Sequence, residues 1–460
     1  MRDASEQKPA WLADLLAEGE VYEVGGSVRD RLLAGQSQTV VVRKDRDYLV
    51  RRIPLDCLQR VLRRHGAVSL VGRSFGVIKF TALVQEPDAP VTYDIALPRA
   101  ERSTGVGHTD FAVDFDPELP VETDLKRRDF TINALAVNCA TEEVVDPTGG
   151  RADLEDHILR MVFPAAFVED PLRILRGAQF AARFHLAIEP ATYAAMQEAA
   201  DLVGTVSAER IAEELNKLLT MADKPSVGFR ILQDLGALRH FLPELAETVD
   251  VDQPGGYHAY NVFEHSLYTV DSAAPRLALR WACLLHDINK PQCKQVEGDK
   301  ATFYGHDKRG ARTARRLLAR LRYPNDFADQ VARLIDRHMF TTNVSDKGVR
   351  RLIRAVGPDL VHDLLDLRRA DVIAQGKGGC TDDVDELEGR ITEEINRKSP
   401  FGLKDLAVDG NDLIAELSIT PGPQIGWVLA SLLESVLDDP LSNTRETLLS
   451  LARKLLEAKE

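Results

Sequence analysis

Gly25-Gly26-Ser27-Val28-Arg29-Asp30 stands between the apolar run Val21–Val24 and a short helical stretch. Glycines at a strand-to-helix turn let backbone N–H groups approach phosphate oxygens. The helix N-terminus adds the positive end of its dipole, and Arg29 adds a full charge. The same glycine pair also serves plain turn geometry. Asp45-Arg46-Asp47 follows at the head of an apolar strand. Residues two apart on a strand face the same side. Two carboxylates there repel unless a cation lies between them, and Mg²⁺ takes one or two carboxylates together with substrate phosphates. Asp94, in the later strand Val91–Leu97, offers a third carboxylate. A solvated strand edge is the other reading of a lone Asp-x-Asp.

Asp170, Arg173, Arg176 and Arg183 recur at intervals of three, three and seven, which keeps them on one stripe of a helix starting near Pro171. Leu172, Leu175 and Ala182 fall on the opposite side. The same spacing also makes an ordinary surface ion pair, worth a few tenths of a kcal/mol. In the middle third, His265, His286-Asp287, His306, His338 and Asp371 carry metal-ligating side chains. Leu284-Leu285 lead from a buried-looking helix straight into His286-Asp287. Two polar groups placed there need a partner, and a divalent cation supplies one.

The elements that position these residues divide the chain. Its 460 residues suggest roughly three domains at about 150 each. Apolar residues make up 44%, enough for buried cores. The 58 basic and 72 acidic residues leave a net charge of −14, which excludes a uniformly basic nucleic-acid coat but not a local basic face. The first 150 residues read as mixed α/β: a helix over Ser27–Leu33, strands at Thr39–Val42, Arg46–Val50, Val68–Val71, Val77–Leu83 and Val91–Leu97, a helix over Pro54–His65, and helical periodicity over Thr123–Val137. From Val162 onward strand signals nearly vanish and amphipathic helices follow one another, among them Leu172–Phe184, Leu277–Leu285, Arg309–Leu321 and Ala328–His338. Glu247–Gly256 and Gln375–Asp383 read as linkers. No apolar run approaches the roughly 20 residues of a membrane span. The opening MRDASEQKPAW carries no charged-then-apolar signal pattern. Five scattered cysteines without a CxxC pair argue against a disulfide framework and fit a cytoplasmic protein. Aromatic residues, at 6%, leave few platforms for stacking bare bases. Lys308, Arg309, Arg312, Arg315, Arg316, Arg320 and Arg322 form a basic helical stretch that suits either RNA phosphates or water.

Taken in order, Gly-Gly-x-Val-Arg-Asp, the Asp-x-Asp strand, Asp124-Leu-Lys-Arg-Arg-Asp129-Phe-Thr-Ile-Asn133 and Glu169-Asp170-Pro-Leu-Arg173-Ile-Leu-Arg176 resemble the class II nucleotidyltransferases, which comprise CCA-adding enzymes and bacterial poly(A) polymerases. The resemblance implies a multidomain α+β chain with a small polymerase-β-like head and a mostly helical remainder. It implies that Asp45 and Asp47 hold Mg²⁺, that Gly26, Arg29 and Arg128 hold the triphosphate, that Asp170 and Arg173 read the Watson–Crick edge of the incoming nucleotide, and that Arg176 steers the triphosphate. An arginine common in the family one turn further on is Gln179 here. The middle third resembles the HD phosphohydrolases, with His265, His286, Asp287 and Asp371 at the matching positions and His306 and His338 as the extra ligands of binuclear members; Asn289 stands where glycine is usual. Such a centre suits Ni²⁺, Co²⁺ or Mn²⁺ better than Mg²⁺.

The resulting expectation is a head over residues 1–162, a helical nucleotide-recognition and RNA-binding region over 163–246, an HD domain over 247–376 and a C-terminal helical tRNA-binding region over 377–460. The expected function is template-independent addition of CCA to tRNA from CTP and ATP, joined to phosphatase or 2′,3′-cyclic phosphodiesterase chemistry. A-only addition, poly(A) synthesis, an HD hydrolase with an inactive head, and an RNA-binding scaffold are the rival readings. The stretch Tyr93–Asp116 reads as a full-length loop, unlike that of CC-only members.

Overall fold

The computed structural model describes residues 8–36, 46–71, 77–83, 91–103, 111–254, 259–297, 300–397 and 399–458. Asp45, the strand expected at Thr39–Val42 and part of the Tyr93–Asp116 stretch lie outside them. The chain forms two compact units, one of Met1–Leu218 with Val227–Phe241, the other of Leu219–Ser226 with Leu242–Glu460.

The first unit carries β1 (Glu20–Val24), β2 (Asp47–Arg51), β3 (Gly66–Val71), β4 (Val77–Ala82), β5 (Thr92–Ala96), β6 (Arg99–Ser103), β7 (Phe111–Phe115), β8 (Ala136–Asn138) and β9 (Val144–Val145). Seven of these make one mixed sheet in the order β3-β4-β5-β2-β1-β8-β9, while β6 and β7 form a separate hairpin. β2 and β5 run parallel, with Asp47 opposite Asp94. Alternation sorts the side chains. Val21, Tyr48, Val50, Ile78, Phe80 and Ile95 pack with Trp11 and Leu15 of the helix Ala10–Glu18. Tyr22, Val24 and Leu49 pack with Val121 and Leu125 on the other face. β1 and β2, covered on both faces, are buried almost throughout, whereas β4 alternates buried and open positions. Asp47, two residues before Leu49, takes the face of Val24 and Leu125.

Thr123–Val137 is not the helix its periodicity suggests. The chain forms a short helix Val121–Leu125, a 3₁₀ turn Thr131–Asn133 and then β8. The Asp129 carboxylate accepts from the Phe130 backbone N–H at 2.8 Å and from Asn133 Nδ2 at 3.0 Å, which bends the backbone into the turn. Ala136 and Val137 then pair with Val24 and Glu23. Apolar residues buried on all sides mimic helical spacing here. The helix Leu172–Phe184 falls where expected.

The second unit is helical, apart from the small hairpin Gln295–Glu297/Lys300–Thr302 among its described residues. The helices that matter for the His/Asp cluster are Val262–Ser272, Leu277–Leu285, His306–Arg320, Asn325–Arg337 and Val361–Ala374. His306–Arg320 starts three residues before the apolar pattern because Gly305, at φ +76°, turns the chain into it. On that helix Arg315 is paired with Asp329 and Arg320 with Glu244, while Lys308, Arg309, Arg312 and Arg316 are exposed. A terminal cluster built on Val408, Leu413, Val428, Leu432, Val436 and Leu448 closes the unit. The buried Arg350 donates to the Leu437 and Asp438 carbonyls and to Glu394. All five cysteines are free. Among the described residues no helix is long and apolar enough to cross a membrane.

Candidate active site and metal centre

In the head, the β1-to-helix turn, β2 and β5 meet. Gly25 has φ +75°, a left-handed conformation that glycine adopts without steric cost. A Cβ built on it would lie 2.8 Å from Arg128 Nη1 and 4.0 Å from Asp47 Oδ2. The glycine therefore leaves room for a guanidinium beside a carboxylate. Gly26 opens the following helix, Gly26–Gln36. Asp47 and Asp94 are register partners on parallel strands, and like charges so placed repel. On its other side Asp94 faces Lys79 of β4. One cavity is lined by Asp47, Asp94, Arg46, Lys79, Ser69, Thr81 and Thr92. Paired carboxylates beside these basic groups are a donor set that fits a divalent cation together with an anionic phosphate.

Arg128 is held by Asp124, whose Oδ2 lies 3.2 Å from Nη2. Asp124 is fully buried and also paired with Arg127. Burial opposes its charge, but the Arg128 and Arg127 guanidiniums hold its carboxyl below the usual range. Arg29 is buried: Nη1 donates to Asn133 Oδ1 at 2.5 Å, and Nε and Nη2 donate to Asp30. The structure places it behind the turn, bonded to protein groups, and not on an open phosphate surface.

Asp129 joins this network to the helix Leu172–Phe184. Its Oδ2 accepts from Arg176 Nε at 2.8 Å, and its Oδ1 from Asn133, the residue that holds Arg29. Arg176 thus serves Asp129, with Glu214 3.6 Å away. Asp170 and Arg173 sit at the start of the helix, half-buried, and are not paired by their side chains. Arg173 donates to the Ala166 and Arg127 carbonyls. Asp170 accepts from Arg210 at 2.8 Å, a residue on the helix Ala208–Met221. The sequence reading missed Arg210, since no local spacing links positions forty residues apart. It also missed the hub role of Asp129, although the acid lay inside the motif. Gln179 is 1% exposed, and among the described residues neither its Nε2 nor its Oε1 has a hydrogen-bond partner.

In the second unit the six expected ligands do converge. His265 Nε2 lies 3.3 Å from His286 Nε2 and 3.1 Å from Asp371 Oδ1. Asp287 Oδ2 is 3.2 Å from His286 Nε2, and its Oδ1 is 3.3 Å from His306 Nε2. His306 and His338 Nε2 are 3.2 Å apart. His286, His306 and His338 each turn Nδ1 to the carbonyl three residues earlier, at 2.8, 2.7 and 2.8 Å, and His265 Nδ1 faces the Ala374 carbonyl. A carbonyl only accepts, so each Nδ1 carries a proton and each Nε2 is the nitrogen turned inward, the orientation that carbonyl partners impose on metal-ligating histidines. His265, His286 and Asp287 form one candidate set, and Asp287, His306 and His338 another, sharing Asp287. Imidazole nitrogens and carboxylates gathered in a buried space are a donor set that fits cations between them. Burial lowers the His338 pKa to about 4. Burial opposes the Asp287 charge, but His286 and Lys290 hold that carboxyl well below its usual range. Lys290 Nζ, 2.6 Å from Asp287 Oδ2, was not singled out from the sequence, though an i,i+3 spacing was its signal.

A mixed-sheet head with paired aspartates beside a glycine-and-arginine cradle, followed by helices, defines a nucleotidyltransferase. Residues 21–160 match the poly(A) polymerase head domain, 185–248 the RNA- and SrmB-binding site of polymerase A, and 308–452 the tRNA nucleotidyltransferase domain 2. The chain is 36% identical over 441 residues to a multifunctional CCA protein of Xanthomonas campestris pv. campestris, covering 90% of this chain and 96% of the relative. It is 35% identical over 339 residues to an A-adding tRNA nucleotidyltransferase of Deinococcus radiodurans, covering 70% and 77%. The fold is shared with the Bacillus stearothermophilus CCA-adding enzyme in complex with CTP, at a TM-score of 0.70 and 22% identity over 98% of this chain and 96% of that one. The chain belongs to the class II nucleotidyltransferase family of CCA-adding enzymes and bacterial poly(A) polymerases. Members of this family generally work with Mg²⁺.

Proposed function

We propose that the chain builds the 3′-terminal CCA of tRNA from CTP and ATP, without a nucleic-acid template, in the cytoplasm. The observation that carries this is the meeting of Asp47, Asp94, Gly25 and Arg128 on one side of the head, in a chain aligned with 96% of the length of a CCA protein. Asp47 and Asp94, with Asp45, are the residues to hold Mg²⁺. Bound there, the ions lower the pKa of the attacking hydroxyl and neutralise the leaving group. Arg128, fixed by Asp124, receives the triphosphate. The RNA 3′-hydroxyl attacks the α-phosphorus in line, the bond to the bridging oxygen breaks, and pyrophosphate leaves. Asp170 and Arg173 read the base. Cytosine and adenine both show an amino donor beside a ring-nitrogen acceptor, which suits a carboxylate and a guanidinium; guanine and uracil show the opposite polarity. Arg210 orients the Asp170 carboxylate. The domain division 1–162, 163–246, 247–376 and 377–460 belongs to this reading.

The test is a tRNA ending at the discriminator base, offered CTP and ATP separately and together. CTP incorporation followed by a terminal A is expected. Incorporation of ATP alone would assign A-only addition or poly(A) synthesis instead, as in the Deinococcus relative's name.

The His/Asp cluster supports a second activity, an HD-type phosphohydrolase acting on phosphate monoesters and 2′,3′-cyclic phosphodiesters, with Ni²⁺, Co²⁺ or Mn²⁺ as the metal. Its support is the convergence of four Nε2 atoms and two carboxylates. Asp45→Ala with Asp47→Ala should abolish nucleotide addition and leave ester hydrolysis intact. If the wild type hydrolyses esters but adds no nucleotide, the inactive-head reading takes its place; tRNA retention without any turnover points to a scaffold.

A further inference from the structure

Four strands of the head place one row of side chains across a single face. The register runs Ser69, Lys79, Asp94, Asp47 over β3, β4, β5 and β2, and Asp47 in turn pairs with Val24, the residue before the Gly25 turn. Register partners share a face, and neighbouring strands lie about 4.8 Å apart. Lys79 therefore stands one strand from Asp94 and two from Asp47, on the flank away from Gly25 and Arg128. The face is open there. In β4, Ile78 and Phe80 are buried on the opposite side while Lys79 is exposed. A cavity of about 680 Å³ covers the row, with Thr81 and Thr92 beside it. Among the described residues no aromatic ring lines it, so a base would find nothing to stack on. The Thr81 and Thr92 hydroxyls lie 3.0 Å apart and satisfy one another. Arg46 also borders the cavity, but its guanidinium is hydrogen-bonded to Tyr48, whose ring packs on the opposite face. Lys79 is thus the cation that the row presents to an anion. The reaction fixes what arrives there. In an in-line displacement the attacking oxygen and the leaving pyrophosphate stand on opposite sides of the phosphorus. With the triphosphate on the Gly25 and Arg128 flank, the RNA end comes in over β5 and β4.

We propose that Lys79 is a positioning residue for the attacking strand: its ammonium holds the phosphodiester on the 5′ side of the terminal nucleotide and so sets the 3′-hydroxyl beside Asp94 and Asp47. The inference rests on the nucleotide-addition reading above and adds the seat of the RNA end to it. A lysine is a point charge on a flexible stem, and a phosphate contact fixes position without reading sequence. That suits an RNA end whose last base changes with each nucleotide added.

The test uses an acceptor-stem RNA ending at the discriminator base, made in three forms: all phosphate, with an uncharged methylphosphonate at the last linkage, and with the methylphosphonate a few linkages further in. Each is titrated with the full-length wild type, Lys79→Met and Lys79→Arg by fluorescence anisotropy without CTP or ATP, and is then used for CTP addition. Lys79→Met should weaken binding of the all-phosphate RNA roughly fivefold, the upper end for one exposed ion contact. The slope of log Kd against log salt should become shallower by about one. In CTP addition KM for the RNA should rise by the same factor while KM for CTP stays unchanged. The last-linkage methylphosphonate should cost wild type that factor and cost Lys79→Met nothing more, whereas the inner one should cost both proteins alike. Lys79→Arg should restore binding and the sensitivity to the last linkage. Independent losses for Lys79→Met and the last-linkage methylphosphonate, or an unchanged salt slope, would overturn the phosphate seat and leave nucleotide addition standing. Coupled losses in binding, with no CTP added by wild type, would keep the contact and overturn the reading it rests on.

Discussion

Replacing Asp129 by asparagine removes one charge from the point where the helix Leu172–Phe184 meets the 3₁₀ turn Thr131–Asn133. Asp129 is buried, with Arg176 Nε and Nη2 at 2.8 and 2.7 Å from Oδ2 and two further donors on Oδ1. Burial alone would raise its pKa. The charge of Arg176 and the donors outweigh it and hold the carboxyl at about 2, against an ordinary value of 3.8. The gap is worth about 2 kcal/mol at roughly 1.36 kcal/mol per pH unit. Asparagine fills the same volume but lacks the charge, so the head should lose about 2 kcal/mol of stability at pH 7. The sign of the pH dependence follows from the depressed pKa. The wild-type contribution is complete above pH about 4 and is lost as pH falls toward about 2, whereas the variant has no such carboxyl to titrate. The two proteins should therefore converge in acid. Trp11, buried in the head, is one of three tryptophans, so a background with Trp281→Phe and Trp427→Phe leaves it as the reporter for urea unfolding. Coincident midpoints at pH 7, or a difference that stays constant down to pH 3, would refute the argument that ionised Asp129 stabilises the junction.

Three other outcomes follow from the geometry. Gly25→Ala would place a Cβ 2.8 Å from Arg128 Nη1 at a φ that costs a non-glycine residue about 1 kcal/mol; KM for CTP and ATP should rise together while base choice is kept. In an Asp45→Ala, Asp47→Ala background that removes the head's carboxylate pair, equilibrium dialysis with Ni²⁺ or Mn²⁺ should find up to two ions per chain, one after His338→Ala and only weak binding after Asp287→Ala, because both ligand sets use Asp287. At a hundred times Kd each ion should stabilise the second unit by about 2.7 kcal/mol, reversibly with a chelator. Arg350→Met should leave Glu394, 6% exposed, with only the more distant Arg397, at 3.5 Å, as its charge partner; a loss below the roughly 3–5 kcal/mol of a fully unpaired buried charge is expected in thermal unfolding of the second unit.

Local chemistry made much of this protein readable in advance. The glycine turn, Asp47, the His286-Asp287 pair and the helix Leu172–Phe184 are signals within a dozen residues, since strand alternation, helical periodicity and turn-forming residues act at that range. His265, His286, Asp287, His306, His338 and Asp371 were nameable as candidate ligands because the stretch resembles the HD phosphohydrolases at those positions. Thr123–Val137 misled, because burial on every side makes a strand and a 3₁₀ turn look helical.

What folding alone decided is which of these groups meet. Asp47 and Asp94 became neighbours only through parallel pairing of β2 with β5, across 47 positions of chain. Asp170 turned from Arg173 to Arg210, and Arg29 turned inward to Asn133. The inward direction of Nε2 on His286, His306 and His338 was set by backbone carbonyls three residues earlier. Residue types and short spacings state what chemistry a chain can do. Partner choice depends on strand order and on which helix packs where, and those are settled by burial of apolar surface across the whole unit.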